Sequence, residues 1–427
     1  MKWRAITALA WLSVACVAFS QETLTLEKSL LLAKEGNGQV QAALLNYAAA
    51  VASTRANRSS FLPTLTPTAS REFSRSENFT GPLKGNFDTS GTAAFIDFNW
   101  RLLDNGQRQV AYDLARSNQQ SQEYAALDTL RAVLFDVHSR FYDALRAQEL
   151  LRVRDDDLKR AKEILDQTII RANPPIEDVP RKDVLQAKAD YENARVNKLV
   201  AENRIATSHA DLKAVLAWDQ PELPVLVGPE VAQQPALEVT LESAIATGLA
   251  QRPDLLSSRQ RITGQRSSLR LAKIEGGIQY SVDANYRRSF LEDHSQRSAL
   301  VFTASIPLYD GDRTRQATLV EELTLQSLEH SLEQSERQAR AEIESAYKEY
   351  TQNRIRFEAA TAALEAAKMN YEAAIASRQE GVGTLIEVLT AQVSLTTAES
   401  NIVEATFDLM ISDVRLKLVT GQPLPGE

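Results

Sequence analysis

The sequence predicts a mainly α-helical fold with a membrane β-barrel portion, built from two internal repeats. Three observations carry this. Each half holds one very long heptad-patterned stretch, pairs of alternating apolar and polar segments lie between the helical stretches, and several motifs recur in the same order.

The chain begins MKWRAITALAWLSVACVAFSQ. Lys2 and Arg4 precede an apolar run ending near Phe19, with Ala18 and Ser20 as small residues before a cut, so residues 1–20 read as a secretory signal peptide. Lipidation at Cys16 after SVA is the alternative, although Ser13 stands where a lipoprotein signal usually has Leu. With cleavage the single cysteine leaves, and disulfide and thiol chemistry leave with it. Losing Lys2 and Arg4 leaves 46 basic residues against 56 acidic ones, a charge of −10 that argues against nucleic acid as a partner. After residue 20 no apolar run approaches the roughly 18 residues that a membrane helix requires. Any membrane crossing must use strands.

Residues 21–217 form the first repeat: a helix to about 60, a strand pair at 63–100, a long helix at 104–171, a turn, and a helix at 181–217. Residues 239–421 repeat the plan: a helix to about 275, a strand pair at 278–308, a long helix at 312–379, a turn, and a helix at 384–419. LTLEKSLLLA at 24–33 recurs as VTLESAIATG at 239–248, WRLLDNGQR at 100–108 as IPLYDGDR at 306–313, and LKAVLA at 212–217 as LKLVTG at 416–421. Between the halves, Pro221, Pro224, Pro229 and Pro235 make 218–238 a linker, and 422–427 is a short tail.

Heptads mark the long helices. Ile343, Tyr350, Phe357, Leu364 and Tyr371 recur every seven residues beside Ala339, Ala346, Ala360 and Ala367; Leu130, Val137, Ala144, Leu151, Leu158 and Leu165 do so in the first half. Such repeats pack helices side by side with a left-handed supercoil. Each long helix spans about 100 Å, roughly twice the length of its companions, so two short helices end to end would match one long one.

The strands show a two-residue period, beginning with TLTPTASREFS after Leu62-Pro63, which alternates polar and less polar residues. Ile96, Phe98 and Trp100 oppose Asp97 and Asn99; Ile278, Tyr280, Val282, Ala284 and Tyr286 oppose Gln279, Ser281, Asp283, Asn285 and Arg287; Leu300, Phe302, Ala304, Ile306 and Leu308 oppose Thr303 and Ser305. Alternation also fits a sheet on a soluble core. Four such strands of about ten residues with terminal aromatics in an exported chain fit an outer-membrane barrel better, and because four strands cannot close one, several copies must share it.

The leader, the duplicated helix starts, IPLYDGD after a strand and GVGTLIEVLTAQ at the second turn together resemble the TolC family of outer-membrane efflux proteins over nearly the whole mature chain. The resemblance implies a homotrimer in outer-membrane lipid, with a 12-stranded barrel continued by a long periplasmic α-helical barrel, and 218–238 at its equator. It implies a passive exit duct of a tripartite efflux or type I secretion system, working with a periplasmic adaptor protein and an inner-membrane transporter. The tips facing the adaptor would include Pro174, Pro175 and Ile176 in the first repeat, and Gly381, Val382, Gly383 and Thr384 in the second. Gly381 and Gly383 suit a tight reversal because glycine accepts positive φ. By the same resemblance Glu387 holds the first position of an acidic pore constriction, Thr390 replaces the second acid, and Asp183 matches an acidic latch residue whose arginine partner is here Leu385.

His138, His209, His294 and His330 are scattered, and no metal cluster, phosphate loop or nucleophile elbow appears, so the reading is of no enzyme, no metal and no cofactor. Asp155, Asp156 and Asp157 read as a solvated helix face rather than a calcium loop. The competing function is a periplasmic coiled-coil adaptor, which gives no reason for two flanked strand pairs. A secreted enzyme would need a convergent polar site. Nothing in these residues selects a cargo among drugs, metal ions and proteins.

Overall fold

A computed structural model describes residues 23–78, 85–173, 180–228, 240–290 and 296–427. The leader, Cys16 and the expected tip residues Pro174, Pro175 and Ile176 lie outside the described residues. The elements run β1 (Thr23–Thr25), α1 (Leu26–Gly36), α2 (Gly38–Ser59), β2 (Thr64–Asn78), β3 (Gly85–Leu103), α3 (Gln107–Ala172), α4 (Arg181–Leu216) and β4 (Val225–Val227) in the first half. The second half adds α5 (Leu241–Gln251), α6 (Pro253–Glu275), β5 (Gln279–Ser289), β6 (Gln296–Ser305), α7 (Arg313–Gln379) and α8 (Leu385–Val419). At 66 and 67 residues, α3 and α7 are each about 100 Å long. No described helix is long and apolar enough to cross a membrane.

Two expected helices are each broken in two. Asn37 ends the first because its side chain accepts from the backbone N–H of Gln39 and Val40 and so starts a new helix. Pro253 ends the other: it takes the first position of α6, while Arg252 before it is extended. The two three-residue strands were not foreseen. β1 pairs in parallel with β4, which lies inside the expected linker, and Leu24 and Leu226 are buried there.

Two compact units make up the chain: a turn unit within 1–33, 137–235 and 366–403, and a strand unit within 34–136, 236–365 and 404–427. In the turn unit, the buried residues of α3 drift from Val137, Phe141 and Ala144 to Val153, Asp157, Ala161 and Ile164, with three- and four-residue steps inside each group. The buried seam of α4 is Ala187, Ala194, Ala201 and Ser208, a seven-residue series of small side chains that permits close helix approach.

The strand unit holds one antiparallel sheet in the order β2-β3-β5-β6. Phe98 lies opposite Leu65 and Tyr286, and Asp97 opposite Thr66 and Arg287, so the two faces differ. On the polar face Arg287 pairs with Asp97 at 2.6 Å and Arg101 with Asp283 at 3.1 Å. On the apolar face Leu65, Leu300 and Phe302 are exposed. Each strand pair then enters its long helix through an Asp-anchored turn. Asn105 and Gly106 in one turn, and Gly311 and Asp312 in the other, have positive φ, while Asp104 and Asp310 accept from the backbone N–H of Arg108 and Thr314. The heptads of α7 bury Ala339, Ile343, Ala346 and Tyr350, with Tyr350 packed against Leu416 of α8.

Candidate functional site

The α7–α8 reversal is built by two locked helix ends. At the end of α7, Val382 N–H donates to Ser377 O and Gly381 N–H to Arg378 O, with Gly381 at φ +82°. This is a Schellman closure, in which a left-handed residue satisfies the last carbonyls. Gly383 is needed for a different reason than the one expected. It is not among the positive-φ residues; instead a Cβ there would lie 2.9 Å from Arg378 N and 3.0 Å from Ser377 C. Close approach of backbone, not left-handed φ, excludes a side chain.

α8 begins with a capping box. Thr384 Oγ1 accepts from Glu387 N–H (3.3 Å), and Glu387 Oε2 accepts from Thr384 N–H (3.0 Å). The Thr-x-x-Glu signal was present in TLIE and is sufficient to find it. Glu387 therefore has a structural task beside any role in a pore, and its side chain remains exposed. Leu385 turns inward against Ile164 and Val388, with Tyr371 and Ile375 beside them, which seats α8 on α3 and α7.

Asp183 lies in the first turn of α4, behind Pro180. It lines a groove of about 600 Å³ with Lys182, Ile386, Thr390 and Val393. The fold thus brings Asp183 and Thr390 together between α4 and α8, while Glu387 is not among the lining residues. Val382, at the turn, is 79% exposed.

Behind the groove, α3 and α8 share a buried polar network that sequence reasoning missed. Asp157 Oδ1 accepts from Thr396 Oγ1 (2.7 Å) and Gln392 Nε2 (3.0 Å). Arg160 forms a two-pronged pair with Glu399 (2.7 and 3.1 Å) and also donates to Thr396 Oγ1 (3.2 Å). The expectation of a solvated Asp155–Asp157 face is corrected here. Asp155 and Asp156 do take lysines, Asp155 pairing with Lys198 and Lys159 and Asp156 with Lys159, but Asp157 is 9% exposed. Consecutive helix residues are 100° apart, so three in a row span too wide an arc to share one face. Nearby, buried Arg378 donates to Thr168 Oγ1 (2.9 Å). Burial, then Arg171, holds Arg378 below the ordinary arginine value, while Asp183 acts in the opposite sense.

Among the described residues no group of three or more His, Cys, Asp or Glu is placed to hold a metal ion. His138 is buried and tilted against Tyr142, and His330 is exposed beside Glu333.

Known proteins resemble this arrangement along most of the chain. The family model described as "Outer membrane efflux protein" matches residues 30–217 and 244–422. The chain is 24% identical over 401 residues to the outer membrane protein TolC of Vibrio cholerae, covering 91% of this chain and 89% of that one. Among solved structures, the outer-membrane channel OprN superposes with a TM-score of 0.79 at 16% identity, over 93% of this chain and 90% of that one. The outer membrane protein VceC from Vibrio cholerae does so at 0.76 and 16% identity, over 94% and 97%.

Proposed function

Because the chain belongs to the outer membrane efflux protein family, whose members are channel-forming outer-membrane proteins with a large periplasmic part, we propose that it is the exit duct of a tripartite efflux or secretion system. In this reading three copies join their four-stranded sheets into one 12-stranded barrel, and their helices line a periplasmic passage. A periplasmic adaptor and an inner-membrane transporter supply selection and energy, since the duct itself carries out no chemistry.

The observation that carries the proposal is the sheet. It is apolar on one face and polar on the other, and β2 and β6 stand at its two edges, each with a single partner strand among the described residues. Open edges of this length need pairing, and a barrel shared between copies provides it. The turn at Gly381, Val382, Gly383 and Thr384, with Val382 exposed, is the surface offered to the adaptor, and Pro174, Pro175 and Ile176 of the first repeat are assigned to it as well. Glu387, with Thr390 and Asp183 in the neighbouring groove, is assigned to the constriction.

Electron microscopy of the detergent-extracted protein tests the assembly: a three-fold tube well over 100 Å long is expected. A monomeric or short particle that leaves the membrane in carbonate would refute it and leave a peripheral adaptor.

A further inference from the structure

The two ends of the sheet's apolar face are chemically unequal. Six cross-strand rows run along it, from Tyr280–Ala304 near the helices to Ala69–Ala94 at the far end. Rows two residues apart are about 6.6 Å from one another, so six span about 33 Å along the strands. Strands tilted by about 40° would compress this to about 25 Å, the height of the apolar band of an outer-membrane barrel. The three rows nearest the helices contain no charged residue. Charge enters only at the far end.

There Arg288 sits in the fifth row, opposite Ile96 and Gln296, and Arg71 lies one row beyond the last, opposite Thr92. Each arginine is exposed and lies over an aromatic ring of the same face, Arg71 at 4.9 Å from the centre of Phe73 and Arg288 at 5.5 Å from that of Phe290. Among the described side chains, Asp97 and Asp283, which pair with Arg287 and Arg101, are on the opposite face. Arg75, further out, stands opposite Asp88 in the register.

We propose that Arg71 and Arg288, with Phe73 and Phe290, seat the phosphate groups of a phosphorylated glycolipid in the outer leaflet. This rests on the reading of the sheet as barrel wall. A guanidinium matches a phosphate geometrically and electrostatically, and its long stem lets Arg288 extend from within the apolar band to the headgroup level. The rings lie where interfacial aromatics belong. A lipid uses both the cations and the rings, whereas a free phosphate would use only the cations.

The test uses the full chain as the purified oligomer in phosphatidylcholine vesicles doped with a diphosphorylated glucosamine glycolipid or with its dephosphorylated form. Lipid retained through repurification is counted by mass spectrometry. The wild type should retain the phosphorylated form preferentially, and Arg71→Gln and Arg288→Gln should each lower that preference about fivefold. Arg→Lys at the same positions should restore part of it. Equal retention of the two lipids by the wild type, an unchanged preference in the double Gln variant, or displacement by inorganic phosphate would overturn the proposal. A parallel measurement separates the underlying reading: brominated acyl chains should quench the fluorescence that Trp100→Phe removes. Without that quenching the barrel wall itself is wrong, and the lipid seat falls with it. Quenching without phosphate preference removes only the lipid seat.

Discussion

Glu387 is asked to do two things, and two substitutions separate them. Its carboxylate closes the capping box with Thr384, and the proposed duct assigns its charge to the constriction. Glu387→Gln keeps a capping side chain and removes the charge, since glutamine serves at the same position of the box. Thr384→Ala keeps the charge and removes the cap. In water a carboxylate about 8 Å from a passing cation contributes about 0.9 RT, so three copies raise the local cation population by roughly an order of magnitude before screening. With a Debye length of about 10 Å near 0.1 M salt this falls to about threefold, and near 0.01 M it rises to about sevenfold. The assay is the reversal potential of the conducting oligomer in a planar bilayer under a salt gradient, at both ionic strengths. Glu387→Gln should lower cation preference by these factors and leave the melting temperature nearly unchanged. Thr384→Ala should cost about 1 kcal/mol of stability and leave selectivity alone. If Glu387→Gln leaves the reversal potential where it was at low salt, Glu387 does not face the passage and is a capping residue only.

Three further outcomes are expected. Asp157→Ala strands the donors of Gln392 and Thr396 in a buried interface and should cost about 2–3 kcal/mol, with Asp157→Asn, which keeps an acceptor, costing less; thermal melting that ranks them the other way refutes the network. Gly383→Ala should destabilise more than Gly381→Ala, because the first meets backbone at 2.9 Å while the second pays only the left-handed penalty of about 1 kcal/mol. Asp128 has its pKa raised, chiefly by burial and then by Asp254, with Arg252 and Arg131 opposing. A raised carboxyl pKa means that the folded state pays for ionisation above it, so Asp128→Asn should stabilise at neutral pH. That gain should shrink as pH falls through the raised pKa towards 3.8, and a pH-independent gain in denaturant titrations would contradict it.

What the sequence determined by itself was every property with a local period. Heptads in 312–379 and two-residue alternation in 278–308 follow from backbone geometry within one element, so α7, β5 and β6 were legible from residue type alone. Local punctuation was legible too, and Asn37, Pro253 and the Thr384-x-x-Glu387 box each carried a signal that a closer reading of caps would have used. The tertiary structure decided the rest. Which of three consecutive aspartates turns inward depends on where α8, over 200 residues later, lays Gln392 and Thr396 against α3. That Gly383 is required for close approach depends on the path of the last turn of α7 beneath it. The placing of Arg71 and Arg288 at one end of the apolar face depends on the pairing of β2 with β3 and of β3 with β5, the second joining strands that lie in different repeats. Periodicity fixes the direction in which a side chain leaves its own backbone; only packing fixes what it meets.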